Sequence, residues 1–318
     1  MTRPAPPLPT VPDARPGNWV DRLAPAFAQP YLRLARVDRP IGVWLLLFPC
    51  WWGQALAQRA SGESMPDVWH LLLFLAGAFV MRGAGCAYND IVDRDIDARV
   101  ARTRGRPIPS GQITVRRAAL FMVALCLAGL LVLLQFNWAT VALGIASLAL
   151  VGIYPFMKRL TYWPQVVLGL TFKWGALVGW TAVRGTLEWP AVALYAGAVL
   201  WTVGYDTIYA HQDKEDDLAL GLKSTAIRFG QATKTWLTGL YAGALALWAC
   251  AVWMAGGGLL TATGLVVAGA CLAWQVATLD TADPENCLAR FKSNRFVGWA
   301  LFAGIVADMM LGAGIPSG

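Results

Sequence analysis

Apolar residues along this chain collect into long blocks near 41–58, 68–88, 118–135, 138–157, 164–183, 190–210, 236–255, 259–279 and 296–314. Each block approaches the roughly 20 residues that an α-helix needs to cross a hydrocarbon core. The pattern therefore predicts an all-α integral membrane protein with nine transmembrane helices. Only a Phe-Asn link after Gln135 separates the third and fourth blocks, yet each is long enough to span on its own.

Composition agrees with this. The 318 residues are 57% hydrophobic and 14% charged, too apolar for an ordinary soluble chain. Sixteen tryptophans and eight tyrosines add support, because amphipathic rings favour the headgroup level of a bilayer. Eight of the eighteen prolines fall in the first thirty residues, which contain no apolar core of signal-peptide length. The expected organisation is a disordered, uncleaved cytoplasmic tail over 1–30 and a membrane domain over 31–318. The six cysteines form no CxxC pair and mostly sit in apolar runs, so neither disulfides nor a zinc site are expected.

Charge supplies an orientation, because loops rich in Lys and Arg stay inside. Arg3, Arg15, Arg22, Arg33, Arg36 and Arg39 precede the first block, and Arg94, Arg99, Arg102, Arg104, Arg106, Arg116 and Arg117 follow the second. Later even-numbered loops add Lys158, Arg159, Lys214, Lys223, Arg228, Lys234, Arg290, Lys292 and Arg295, whereas the odd-numbered loops carry only Arg59 and Arg184. This predicts a multi-pass protein of a bacterial inner (cytoplasmic) membrane, with its amino terminus cytoplasmic and its carboxyl terminus outside. The net charge of +7 suits anionic lipid or an anionic substrate. A nucleic-acid partner has no soluble domain to act on, and no obligate protein partner is evident.

Two acidic stripes stand out at block ends. In "YNDIVDRDID", Asn89, Asp93 and Asp97 recur every four residues and share one helix face, with Asp90 flanking it and Asp95 pointing away. In "DTIYAHQDKEDD", Asp206, Tyr209, Ala210, Asp213 and Asp217 fall within roughly 60° of one line on a helix. Both stripes begin at the same membrane face, so they are expected to face each other across a central pocket. Charge runs usually just solvate helix ends, but paired carboxylates in a membrane repel and are costly unless a cation neutralises them. Hard oxygen donors without His or Cys select Mg²⁺ over zinc or copper. An EF-hand loop is excluded, since Ala98 and Arg104 occupy the positions that need Gly and Glu.

Arginines follow the first stripe at once and lead into "PIPSG", a turn rather than more helix. Acids and arginines together fit a metal-bound diphosphate. Arg82 lies seven residues before Asn89 on nearly the same face and about 10 Å deeper. It would bind a substrate carboxylate or pair with an acid of the opposite stripe. Lys173 is expected to line the cavity, Asp308 to be wetted at the outer end, and His70 and His211 are left without a role.

At these residues the chain resembles the UbiA superfamily of intramembrane prenyltransferases, whose signatures NDxxDxxxD and DxxYAxxDxxxD it matches without exception. The stretches "YPFMKRLTYWPQVVLG" and "DPENCLARFKSNRFVG" resemble its 4-hydroxybenzoate polyprenyltransferase branch. The resemblance implies a UbiA-like fold and Mg²⁺-dependent transfer of an isoprenoid chain from polyprenyl diphosphate to 4-hydroxybenzoate in the lipid bilayer. By position it implies Mg²⁺ at Asn89, Asp93, Asp213 and Asp217, with Asp90 and Asp97 adjacent. Arg102, Arg106, Lys158 and Arg159 would hold diphosphate, and Arg82 and Arg39 the benzoate carboxylate. Asp206, Tyr209 and Asp90 are the catalytic candidates, the first two facing the reacting carbon or the phenol. The rival readings are a UbiA-type enzyme with a haem, homogentisate or naphthoate acceptor, a cation transporter, which leaves the arginines unexplained, and a non-catalytic lipid-binding scaffold.

Overall fold

The computed structural model describes residues 17–312, which are helical with no strand among them. In chain order the helices are α1 (Trp19–Leu23), α2 (Gln29–Leu34), α3 (Ile41–Ala60), α4 (Val68–Asp97), α5 (Val115–Leu133), α6 (Trp138–Ile153), α7 (Met157–Leu160), α8 (Pro164–Phe172), α9 (Gly175–Arg184), α10 (Trp189–Ala210), α11 (Lys214–Ala219), α12 (Thr225–Phe229), α13 (Thr233–Met254), α14 (Leu259–Ala277) and α15 (Pro284–Gly312). Eight helical segments among the described residues are long and apolar enough to cross a membrane, rather than the nine expected. The difference is α3, a continuous 20-residue helix in which three tryptophans, Gln54 and Gln58 dilute the aliphatic content. The short link between the third and fourth blocks works as a helix start: Asn137 accepts from the Thr140 N–H and donates to the Thr181 and Ala182 carbonyls.

The chain divides into two compact units, one made of Met1–Gly42 and Phe79–Leu130, the other of Val43–Ala78 and Leu131–Gly318. In the first, Leu34, Ala87, Ile108, Ile113 and Ala118 form a buried cluster against which Tyr31, Ile91, Phe121 and Met122 pack. The 30 residues of α4 span about 45 Å, longer than the hydrocarbon core of about 30 Å, so the first acidic motif occupies its final turns. Residues 98–114 leave the helix, as the Pro and Gly content predicts. The Thr103 hydroxyl donates to the Asp97 carbonyl at 2.9 Å and the Ile113 N–H to the Pro107 carbonyl at 3.1 Å. Of the expected disordered tail, residues 1–16 lie outside the described residues. Residues 17–30 carry α1, capped by Asn18 and tied to α2 by an Asp21–Arg33 ion pair at 2.8 Å.

In the second unit the expected single span 164–183 is two helices, α8 and α9, separated at Lys173–Trp174. Helix α3 approaches α9 closely because glycines line the contact. A Cβ at Gly53 would strike the Ala176 carbonyl, and one at Gly179 would strike that of Cys50. Tryptophan serves the core as well as helix ends. Trp52, Trp201 and Trp248 are buried with ring centroids 5.2–5.6 Å apart, whereas Trp138 and Trp189 are exposed at the first residues of their helices. The indole N–H groups of Trp52 and Trp201 donate to the Gly298 carbonyl at 3.0 Å and to Asn294 Oδ1 at 2.7 Å.

Asp308 corrects the expectation of a wetted carboxylate. It is buried, 2.6 Å from Arg59 Nε, and accepts from the Gly258 N–H at 2.6 Å. Helix α15 brings it inward, where a charge without a partner would be costly. Asp308→Ala should lower stability by about 3–5 kcal/mol, and joint replacement of Arg59 and Asp308 by apolar residues by less, read from thermal unfolding in detergent. Gly179→Ala should cost about 1–3 kcal/mol by overpacking. Gly239→Ala, whose Cβ meets nothing within 4 Å inside α13, should raise stability by up to about 1 kcal/mol through helix propensity.

Candidate active site

The last turns of α4 place Asp90, Asp93 and Asp97 at spacings of three and four, and all three are buried. Asp95 is exposed, as its phase on the helix predicts. One nitrogen of Arg106, Nη1, donates to Asp97 Oδ2 at 2.7 Å and to Asp90 Oδ1 at 3.3 Å. Arg36 Nη2 donates to the same Asp90 oxygen at 2.9 Å. Two guanidinium groups thus neutralise the carboxylates that the membrane alone would not tolerate. Arg106, expected to hold diphosphate, is here the counter-ion of the stripe.

In the sequence Arg36 reads only as a topology charge. Its backbone sits in the left-handed region at φ 57°, a conformation that costs a residue with a Cβ about 1–2 kcal/mol. Such strain persists where the surroundings impose it. No local signal marks Arg36, because its partner lies 54 residues away.

The two arginines expected at the benzoate carboxylate both have protein partners. Arg39 Nε donates to Asp38 Oδ1 at 3.3 Å, and Arg82 Nη1 donates to Cys86 Sγ at 2.7 Å. The Arg82 guanidinium lies over Gly42, where a Cβ would collide with it. Arg102 and Asn89 are half-buried, while Arg99 and Arg104 are exposed.

In the second unit the acidic motif departs from a regular helix. Helix α10 ends at Ala210, His211–Asp213 form a 3₁₀ turn, and α11 begins at Lys214. A 3₁₀ turn rotates by 120° per residue instead of 100°, so Asp213 and Asp217 are turned off the line expected from Asp206. The anchor for this turn is His211, which is buried with Nε2 3.2 Å from the Thr233 hydroxyl. That contact gives the histidine a structural role. Asp206, Tyr209, Asp213 and Asp217 are all half-buried, and the Tyr209 ring packs on Phe291 at 4.6 Å. Lys158 and Arg159 sit half-buried on the short α7, with Arg159 5.6 Å from the Phe156 ring centre.

The donors offered by the two motifs are all hard oxygens, which fits a Mg²⁺-type cation. Arg106 already occupies a cation's place between Asp90 and Asp97. Among the described residues no three carboxylate, imidazole or thiol groups converge as a ready-made metal site.

Residues 46–302 match a model described as the UbiA prenyltransferase family. The chain is 51% identical over 290 residues to a protein of Aedes aegypti named "4-hydroxybenzoate polyprenyltransferase, mitochondrial", an alignment that covers 87% of this chain and 63% of the mosquito protein. Fruit fly and human relatives carry the same name. Among solved structures, a UbiA homolog from Aeropyrum pernix K1 superposes with a TM-score of 0.69 at 26% identity, covering 83% of this chain and 98% of that one. A UbiA homolog from Archaeoglobus fulgidus bound to GPP and Mg²⁺ gives 0.61 at 21% identity, over 87% and 99%. The compartment in the relatives' names corrects the expected bacterial inner membrane, with its cytoplasmic and external termini, because these proteins are mitochondrial. Charge bias distinguishes the two sides of a membrane and does not say which membrane it is. The multi-pass character stands, and with half the aligned residues shared and a family match running from α3 to α15, the chain belongs to the UbiA prenyltransferase family.

Proposed function

We propose that the chain transfers a polyprenyl group from its diphosphate to the ring carbon ortho to the hydroxyl of 4-hydroxybenzoate, with Mg²⁺, as a step of ubiquinone biosynthesis. The observation that carries this reading is the row of buried carboxylates on α4 held together with arginine, an arrangement suited to a metal-bound diphosphate. The relatives' shared name and the Mg²⁺ and GPP of the A. fulgidus homolog support it.

Asn89, Asp93 and Asp97 on the first motif, and Asp213 and Asp217 on the second, offer oxygens to the divalent cation. When bound, the cation supplies positive charge to the diphosphate oxygens and favours their departure. Arg102 and Arg106 from the turn segment, and Lys158 and Arg159 from α7, are the basic groups that bind diphosphate and stabilise the charge it gains. The ring carbon forms the new C–C bond as the allylic C–O bond breaks. Diphosphate leaves with the electron pair, and the ring proton is lost to restore aromaticity. Asp206 accepts the phenol proton, which makes the ring more nucleophilic, and Tyr209 orients the ring. Asp90, held by Arg36 and Arg106, acts by fixing those arginines. Arg82 and Arg39 bind the benzoate carboxylate. The surrounding apolar helices exclude the water that would otherwise capture an allylic cation.

The purified chain in nanodiscs should release diphosphate only with an isoprenyl diphosphate, 4-hydroxybenzoate and Mg²⁺, and should form a prenylated benzoate. Asp93→Ala and Asp213→Ala should each slow release by about 100-fold or more. Release with a naphthoate or haem acceptor alone would overturn the choice of substrate, and no release with any acceptor would overturn the reaction. Arg106→Gln should lower kcat/KM for the diphosphate by about 10- to 100-fold, the worth of one hydrogen bond to a charged group. Equal kcat/KM in that variant would remove Arg106 from substrate binding.

A further inference from the structure

Arg82 stands half-buried midway along α4, where a charge among apolar helices is costly and the way it is seated indicates its use. Two buried neighbours make the seat: Cys86, one turn further along the same helix, and Gly42, in the first turn of α3. All three residues belong to the first compact unit.

The two neighbours do different things. Cys86 gives direction: Arg82 Nη1 donates to its Sγ at 2.7 Å, and a thiol sulfur is a weak acceptor that orients a guanidinium without cancelling its charge. Gly42 gives room. A Cβ on Gly42 would lie 2.8 Å from Arg82 Nη2 and 2.9 Å from Cζ, and nearer still to Nε. These are the three atoms nearest that position, so a methyl group there would strike the guanidinium first. The Gly42 backbone is helical, without the positive φ that favours glycine, so its missing side chain answers to Arg82 and not to conformation. The helix beneath is fixed as well. At the adjacent Gly83 a Cβ would fall 3.0 Å from Leu125 Cδ1 and 3.1 Å from Ala35 Cβ, so α4 is close-packed at the turn that carries Arg82.

We propose that Gly42 and Cys86 are positioning residues for Arg82, holding its guanidinium in one place and orientation before the aromatic acceptor arrives and so setting the affinity for a carboxylate-bearing substrate. Freezing a long arginine side chain only at the moment of binding would weaken that affinity. The inference rests on the role assigned above to Arg82 at the benzoate carboxylate. Neither residue touches substrate in this scheme; both act through Arg82.

The full chain in nanodiscs would be assayed as wild type, Gly42→Ala, Arg82→Met, the double variant of these two, Cys86→Ala and Cys86→Ser. Thermal midpoint, kcat, and KM for 4-hydroxybenzoate and for the isoprenyl diphosphate would be measured for each. Gly42→Ala should melt at or above wild type, because alanine favours the helix and the atoms it strikes are the movable end of a side chain. Its KM for 4-hydroxybenzoate should rise about tenfold or more, while kcat and the diphosphate KM stay within about twofold. Arg82→Met should raise the same KM at least as far. Adding Gly42→Ala to Arg82→Met should then change it by less than about twofold, because the glycine has nothing left to position. Cys86→Ala should raise the benzoate KM about threefold or more, and Cys86→Ser, which restores an acceptor, should bring it back to the wild-type value.

A wild-type benzoate KM in Gly42→Ala or in Cys86→Ala would overturn the inference, as would a full further loss in the double variant. If one of the two single variants fails to fold, the other decides alone. A wild-type benzoate KM in Arg82→Met would remove the arginine from the carboxylate, and this inference with it, while the reaction stands. A wild-type chain that forms no prenylated benzoate would overturn the reaction itself.

Discussion

Carboxylates buried at the end of a membrane helix must have positive charge among them, and the first unit is built around meeting that demand. At an effective dielectric near 20, like charges about 4 Å apart repel by about 4 kcal/mol, a large fraction of what holds a fold together. Arg106 joins Asp90 to Asp97, and Arg36 adds a second guanidinium to Asp90. Much else serves this contact. The chain turns back after α4 through residues 98–114, Ile108 and Ile113 pin that turn to the apolar cluster, and Arg36 tolerates a left-handed backbone.

The second unit applies the same accounting to single polar groups. Where a helix is interrupted, a side chain satisfies what the interruption leaves open: Lys173 serves the carbonyl that Pro49 orphans, and Asn137 serves both the start of α6 and two carbonyls near the end of α9. Arg59 and Asp308 answer each other, with the Gly256 carbonyl and Gly258 N–H completing the set. Water is scarce at such positions, so unpaired donors and acceptors cannot fall back on solvent.

These constraints bear on function because prenyl transfer needs strong charge and an anhydrous setting together. A bilayer provides the second without effort and makes the first difficult. Arginine–carboxylate networks reconcile the two, holding a polar site at helix ends while the apolar spans around it remain dry.

Periodicity and composition alone determined that the chain is helical, membrane-embedded and built of long spans, because burial in lipid leaves the backbone few other choices. They also located both acidic motifs, since spacings of three and four residues place side chains on one face through local geometry alone. The tertiary structure decided what those residues touch. It showed that Asp90 is shared by Arg36 and Arg106, that Asp308 is paired and not wetted, that the helix over Lys173 is interrupted, and that the second motif passes through a 3₁₀ turn where His211 is buried against Thr233. Helical phase follows from neighbours a few residues apart, whereas the partner of a long charged side chain depends on how distant segments close together, and no local pattern in the sequence records that.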